Sequence, residues 1–248
     1  MGAAVGAWGP LAALFNDAAH PRASGDELAV FAKHASAEWL TLDVMCGTGR
    51  VLLPCLAQGA KLHGVDLSQA MLARCEANLA GANAPLFRQD VAQLNVPFRY
   101  GCAFVAGGAL QLITDPTTVH AAPERIRAHL VPPALLVIEC RIPDTAQQRL
   151  AAPLVEVTNV KLADGSQIVR RSETTWTPEA RLARAQHRYT HRRSHERLGE
   201  EHEAIVSTWY EREEIIEVVR NAGYSDVAVH AWPAELAQGD AFIVTARA

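Results

Sequence analysis

The chain has 248 residues, 49% of them hydrophobic and 20% charged, with a formal net charge of −4. A chain this long and this apolar buries a full core, which excludes the disordered, collagenous and disulfide-scaffold classes. The mild acidity leaves no footprint for nucleic acid, whose binders carry a basic face, so none is expected as a partner.

In chain order, the run from Met1 to Ala19 is Ala-rich, lacks a basic leading segment and is broken at Gly9-Pro10. No signal peptide is therefore expected, and no stretch approaches the roughly 18 apolar residues of a membrane span. Trp8, Leu11, Leu14 and Phe15 fall at helical spacing. From Trp39 to Cys140 short apolar runs alternate with longer helical patterns, as in βαβ units around a parallel sheet. Strands are predicted at Leu40–Met45, Lys61–Asp66, Ala84–Arg88, Cys102–Gly107 and Ala134–Cys140. The clearest helix runs from Ser68, a good N-cap, to Leu79, with Met71, Leu72, Cys75 and Leu79 on one face.

At Pro143 the texture changes to alternation and β-branched residues. Antiparallel strands are predicted at Leu154–Leu162, Gln167–Thr177, Arg181–Arg192 and His202–Tyr210, the first two joined by the turn Ala163-Asp164-Gly165-Ser166. A helix over Glu211–Ala222, stopped at Gly223, and two last core strands at Asp226–Ala231 and Ala241–Ala246 complete the chain. The expected fold is α/β: a Rossmann-like, doubly wound, seven-stranded and mainly parallel sheet carrying an inserted antiparallel β-subdomain. Its segments are 1–36 (helical), 37–142 (core), 143–210 (insert) and 211–248 (rest of the core). Five cysteines, Cys46, Cys55, Cys75, Cys102 and Cys140, form no C-x-x-C pair and sit in apolar stretches, which fits a cytoplasmic location.

The chemistry concentrates where strands end. Leu42-Asp43-Val44-Met45-Cys46-Gly47-Thr48-Gly49-Arg50 is a strand entering a Gly-rich turn, where a ligand can lie against the backbone. The next strand ends at Asp66, 23 residues after Asp43, the place at which doubly wound folds hold a ribose diol. The third ends at Gln89-Asp90-Val91. Three carboxylates thus line one crevice. A nicotinamide site would show G-x-G-x-x-G, but the third glycine position is Leu52.

These stretches, with Gly64-Val-Asp-Leu-Ser-Gln-Ala-Met-Leu72 and Gly107-Gly-Ala-Leu-Gln-Leu-Ile-Thr-Asp115, resemble the class I S-adenosylmethionine-dependent methyltransferases over Trp39 to Cys140. The resemblance implies S-adenosylmethionine as cofactor and S-adenosylhomocysteine as product. It implies that Asp43 orders the glycine loop and the methionine amino group, and that the backbone from Met45 through Cys46 and Gly47 to Gly49 touches the cofactor. Asp66 would hold the ribose, Leu67 and Met71 flank the adenine, Asp90 and Val91 read its edge, and Gly107 sit near the methionyl end. The chain departs from the family pattern at Met45, where glycine is usual, and at Gly101-Cys102, which lacks the usual carboxylate. Trp8 to Lys33 resembles the lid of such enzymes.

The insert occupies the place where small-molecule members cover their acceptor, and its arrangement is loosely similar to amine and sugar-amine N-methyltransferases. The expected partner is a small-molecule acceptor, nitrogen rather than oxygen; Gln111, Tyr189, His191 and Tyr210 are the candidate acceptor-side residues. The Arg/His-rich run from Arg181 to Arg197 reads first as a charged edge strand and second as an acceptor grip. Its histidines at intervals of four lie in a cationic flank, so no metal site is expected. An exposed edge of the insert suggests a homodimer. Two other readings remain open: a reaction that uses the sulfonium without methylating, and a non-catalytic scaffold.

Overall fold

The central sheet of the computed structural model, which describes residues 8–20, 22–233 and 240–248, has seven strands in the order β10-β11-β5-β4-β1-β2-β3. They are β1 (Leu40–Val44), β2 (Lys61–Asp66), β3 (Leu86–Arg88), β4 (Tyr100–Val105), β5 (Leu130–Ile142), β10 (Ser225–Ala231) and β11 (Asp240–Arg247). β11 runs antiparallel to β5 and β10, whereas β3, β2, β1, β4 and β5 are mutually parallel. The parallel strands are nearly continuous runs of buried apolar residues because helices cover both faces. The order reverses direction between β1 and β4, so their C-terminal ends open a crevice.

The helix α4 (Gln69–Leu79) begins as its sequence predicts: Ser68 accepts a hydrogen bond from the Met71 amide at 3.1 Å, and Met71, Leu72 and Cys75 are buried. The helix α7 (Arg212–Asn221) opens on a capping box between Glu211 and Glu214. All five cysteines are buried as free thiols. No helix among the described residues is long and apolar enough to cross a membrane.

Between β5 and α7 the chain builds a separate antiparallel sheet, β6 (Leu154–Lys161), β7 (Gln167–Thr177), β8 (Leu182–Arg193) and β9 (Glu196–Thr208). Strand β9 starts six residues before its predicted start at His202, because Glu196–Glu201 hold a single apolar side chain, Leu198, and carry no period-2 signal. Likewise β4 starts at Tyr100, which is buried and hydrogen bonded to His63 Nδ1 at 3.2 Å.

The helix α1 (Pro10–Ala19) lies on one face of this second sheet, with Ala12 and Phe15 packed among Val160, Ile168 and Tyr189. Its N-terminus is capped from another element. The Glu201 carboxylate accepts from the Leu11 and Ala12 amides, both at 3.0 Å, and Gly9 leaves room for it where a Cβ would approach to 2.6 Å. On its other side Asp17 accepts from Arg22, Arg74 and Asn78, and the Ser68 hydroxyl donates to the Trp8 carbonyl at 2.8 Å. Substituting Glu201 by Ala is expected to weaken the protein by about 1–3 kcal/mol through loss of two charge-assisted bonds at a helix N-terminus. Hydrogen exchange should then accelerate in α1 before the central sheet; uniform acceleration would show that the cap is not local.

Candidate functional site

The glycine loop follows β1 and is held from below. The Cys46 amide donates to the Val65 carbonyl at 3.0 Å, the Gly49 amide to the Cys46 carbonyl at 3.0 Å, and the Gly47 amide to Asp66 Oδ2 at 2.9 Å. Gly47 has φ +55° with open space where a side chain would begin, and Gly107 after β4 is the same at φ +66°. Gly49, at φ +86°, is different: a Cβ there would meet Cys75 Sγ at 2.8 Å. Its lack of a side chain lets α4 pack on the loop, whereas Gly47 leaves the crevice side clear.

Met45 occupies the loop's first left-handed position, φ +57°, which favours glycine; its side chain packs beside the main buried cluster. The chain therefore tolerates a non-glycine conformation at the cost of about 1–2 kcal/mol of backbone energy.

Asp43 is wholly enclosed at the end of β1, and burial raises its pKa to about 7 against the help of the Leu52 amide. The carboxylate of Asp66 nearby adds to that rise. Asp66 is less enclosed. Its Oδ1 accepts from the Ser68 amide at 2.8 Å; desolvation lifts its pKa while the Ser68, Gly47 and Leu67 amides oppose the rise. Leu67 beside it is exposed, 58% of its surface free, and Met71 is buried one turn into α4. Asp90 follows β3 and caps a short turn by accepting from the Ala92 amide at 2.9 Å, with Val91 buried next to it. The Gln89 amide donates to the Asp66 carbonyl at 3.1 Å, so these strand ends adjoin.

The eleven cofactor-side positions named from the sequence thus sit at the C-terminal ends of β1 to β4 and at the start of α4. Sequence reasoning missed Glu139. This glutamate near the end of β5 is fully buried, accepts from the Gly107 amide at 2.6 Å and from Arg141 Nε at 2.8 Å. Its signal was a lone acid in the apolar run Leu135-Leu136-Val137-Ile138.

The acceptor-side candidates are not gathered in one place. Gln111 is buried and spends its amide on the Arg141 carbonyl (2.6 Å) and the Thr208 carbonyl (2.9 Å), while accepting from the Arg141 amide (2.8 Å). It ties the end of β5 to the end of β9. Tyr210 donates to the Ile113 carbonyl at 3.3 Å, with its phenol pushed up to about 12 by burial. His191 lies near the far hairpin, 2.8 Å from the Ser166 hydroxyl. Tyr189 is buried under α1 against Phe15, ring centroids 5.5 Å apart, and donates to Glu203 Oε2 at 3.3 Å.

Just past the end of α1, His20 is exposed to solvent. Desolvation lowers its pKa, and so do the charges of Arg170 on β7, Arg50 of the glycine loop and Arg141 of β5. Arg50 pairs with Glu27 of α2 (Gly25–Ala32), and Arg170 lies over the Phe15 ring, 4.7 Å from its centroid.

The residues present fit S-adenosylmethionine. A costly buried carboxylate at Asp43 suits an ammonium, a partly open carboxylate at Asp66 suits a diol, and exposed Leu67 offers an apolar face beside it. When bound, the cofactor supplies a methyl group on a positively charged sulfur.

The comparisons agree. Residues 41–133 match the family model described as a methyltransferase domain. No curated protein matches the chain. Among solved structures, the chain is similar to an S-adenosylmethionine-bound amino pentose methyltransferase from Micromonospora echinaspora: 24% identity, 90% of this chain and 91% of that one covered, TM-score 0.67. It is also similar to a methyltransferase from Streptomyces caelestis (23%, 90% and 88%, 0.67) and to a sugar N-methyltransferase from a Streptoalloteichus species (19%, 87% and 82%, 0.66). Residues 41–133 therefore match a methyltransferase domain, and the chain has the fold of the class I, S-adenosylmethionine-dependent methyltransferases.

Proposed function

We propose that the protein methylates a small-molecule acceptor at nitrogen, within the space between the glycine loop and the inserted sheet. The observation that carries this reading is the set of strand ends that fits a sulfonium nucleoside, Asp43, the loop held by Asp66, and Asp90, with the inserted sheet following β5 and tied to its end by Gln111. An amine can attack the methyl group without a dedicated base once it is deprotonated. Only the free base has the lone pair that attacks a methyl group. The solved relatives named for amino pentose and sugar N-methylation support the reading by analogy of fold. The free edge strand β6 exposes Val155 and Val157, which supports the expected homodimer through the insert.

The chain's own part is to hold the two reactants in line and exclude water; α1 covers the space and the second sheet roofs it. Calorimetric titration with S-adenosylmethionine, S-adenosylhomocysteine and NADH is expected to show micromolar binding of the two sulfur ligands alone. Incubation with glucosamine, benzylamine, imidazole and catechol should then give methylated amine and S-adenosylhomocysteine in equal amounts. Conversion of an added compound with S-adenosylmethionine left unconsumed would favour a non-methylating reaction, and no sulfur-ligand binding would favour a scaffold.

A further inference from the structure

Acids dominate the strand ends of the crevice. Asp43 and Asp66 lie at the ends of β1 and β2, Asp90 follows β3, and Glu139 lies near the end of β5. S-adenosylmethionine brings an ammonium, a sulfonium and a carboxylate. The acids suit the first two and repel the third, which needs a cation of its own.

Beside those ends stand Arg50 and Arg141. Arg50 follows Gly49 in the glycine loop, and both its Nη atoms donate to the Glu27 carboxylate of α2. Arg141, near the end of β5, is held differently. Its Nε donates to Glu139 Oε1 at 2.8 Å and its Nη2 lies 2.6 Å from the same oxygen, which leaves Nη1 with no partner among the described residues. The Arg141 side chain keeps 39% of its surface exposed, whereas the carboxylate that holds it keeps none.

Strand register places both residues. β4 lies between β1 and β5, with Phe104 beside Asp43 on one side and Val137 on the other. Glu139, two residues past Val137, is therefore on the same face of the sheet as Asp43 and beyond its level. Its Oε2 accepts from the Gly107 amide at 2.6 Å, and the Arg141 stem runs over Gly108, where a Cβ would lie 3.8 Å from Cδ. Desolvation opposes the rise in the Arg50 pKa, while the Glu27 carboxylate and the charges of Glu139 and Asp43 drive it, so both acids act on the glycine loop. Arg141 thus lies against the turn after β4, its guanidinium 5.8 Å from the centroid of the Trp232 ring.

Taking this crevice as the cofactor site, we propose that Arg141 binds the cofactor's methionyl carboxylate through its open Nη1 edge, with Glu139 as the residue that positions it. A buried carboxylate is costly unless paired, and Glu139 is satisfied by the Gly107 amide on one oxygen and by Arg141 on the other. That pairing orders a long side chain before the ligand arrives, so less freedom is lost on binding. With Asp43 attending the ammonium and Arg141 the carboxylate, both charges of the amino-acid end are read. The site then tells its cofactor from nucleosides that lack that end.

The test needs no acceptor. Calorimetric titration of the full chain compares S-adenosylhomocysteine with 5′-S-(3-aminopropyl)-5′-thioadenosine, which lacks only the carboxylate. Arg141→Met is expected to cost the first ligand about ten- to fiftyfold in affinity and the second less than about threefold. Arg141→Lys should lose less, because the charge remains without the planar fork, and it replaces R141M if that variant fails to fold. Glu139→Gln should shrink the preference for the carboxylate-bearing ligand severalfold, a selective change that lost packing alone does not produce. Equal losses for the two ligands would make Arg141 a structural residue and overturn the proposal. No loss for either would also overturn it and leave Arg141 to an anionic group of the acceptor. A wild type that binds both ligands equally overturns the proposal without any variant, whereas one that binds neither overturns the cofactor site itself.

Discussion

Replacing Asp43 by Asn is expected to make the ligand-free protein more heat-stable at pH 8 and to cost it ten- to hundredfold in S-adenosylmethionine affinity. The carboxyl is wholly buried and its pKa rises to about 7 from 3.8, chiefly by desolvation. Between those values the folded protein holds a proton that the unfolded chain has lost, so stability falls as pH rises from about 4 to 7 and is lowest above it. A rise of that size corresponds to about 4 kcal/mol. Asparagine keeps an oxygen for the Leu52 amide and removes the charge. The variant should therefore melt about 8–16 °C higher at pH 8, with the difference vanishing near pH 4. A difference independent of pH would show that Asp43 is not the titrating group. In the resemblance, this carboxylate orders the methionine amino group, whose positive charge would favour ionisation. Cofactor binding at pH 6 should accordingly release protons, measurable by calorimetry in buffers of unlike ionisation enthalpy.

Asp66→Ala is expected to weaken cofactor binding by about 1–3 kcal/mol, roughly five- to 150-fold, because charge-assisted bonds to hydroxyls are lost. The same carboxylate also fixes the Gly47 and Ser68 amides, at 2.9 and 2.8 Å, so part of the loss belongs to the loop. The two parts separate with 5′-methylthioadenosine and its 2′,3′-dideoxy analogue. If Asp66 holds the diol, D66A costs the first ligand more than the second; equal costs would confine the residue to bracing the loop.

The crevice was legible in the sequence because its signals are local. Asp43, Gly47, Asp66 and Asp90 each lie at the end of an apolar run, and one chain direction brings those ends together. Gly49 was legible as a glycine but not in its purpose, since Cys75 lies on another element. Glu139 was overlooked because only the neighbouring strand's Gly107 amide gives it meaning. Gln111 and Tyr210 had the right chemistry and the right neighbourhood, yet their polar atoms are spent on the Arg141, Thr208 and Ile113 carbonyls. For the second sheet, strand alternation puts His187, Tyr189 and His191 on one face, but the partner of each is set by register. A single-residue slip would exchange Glu203 for the residues on either side of it, and nothing within one strand specifies that choice.

The Gln111 clasp has a kinetic corollary. Three hydrogen bonds join the turn after β4, the last residues of β5 and the last residues of β9. The inserted sheet is thereby a fixed wall, continuous with the frame that carries the glycine loop. Helix α1, beyond the packing of Ala12 and Phe15, is held at its ends by carboxylates: Glu201 at its start, and Asp17 on Arg22, Arg74 and Asn78 near its end. Contacts of that kind weaken as salt rises, whereas amide-to-carbonyl bonds buried in a clasp do not. Exit of the spent nucleoside would then follow α1 and quicken with ionic strength, while the sheet that orients the acceptor stays in place from one turnover to the next.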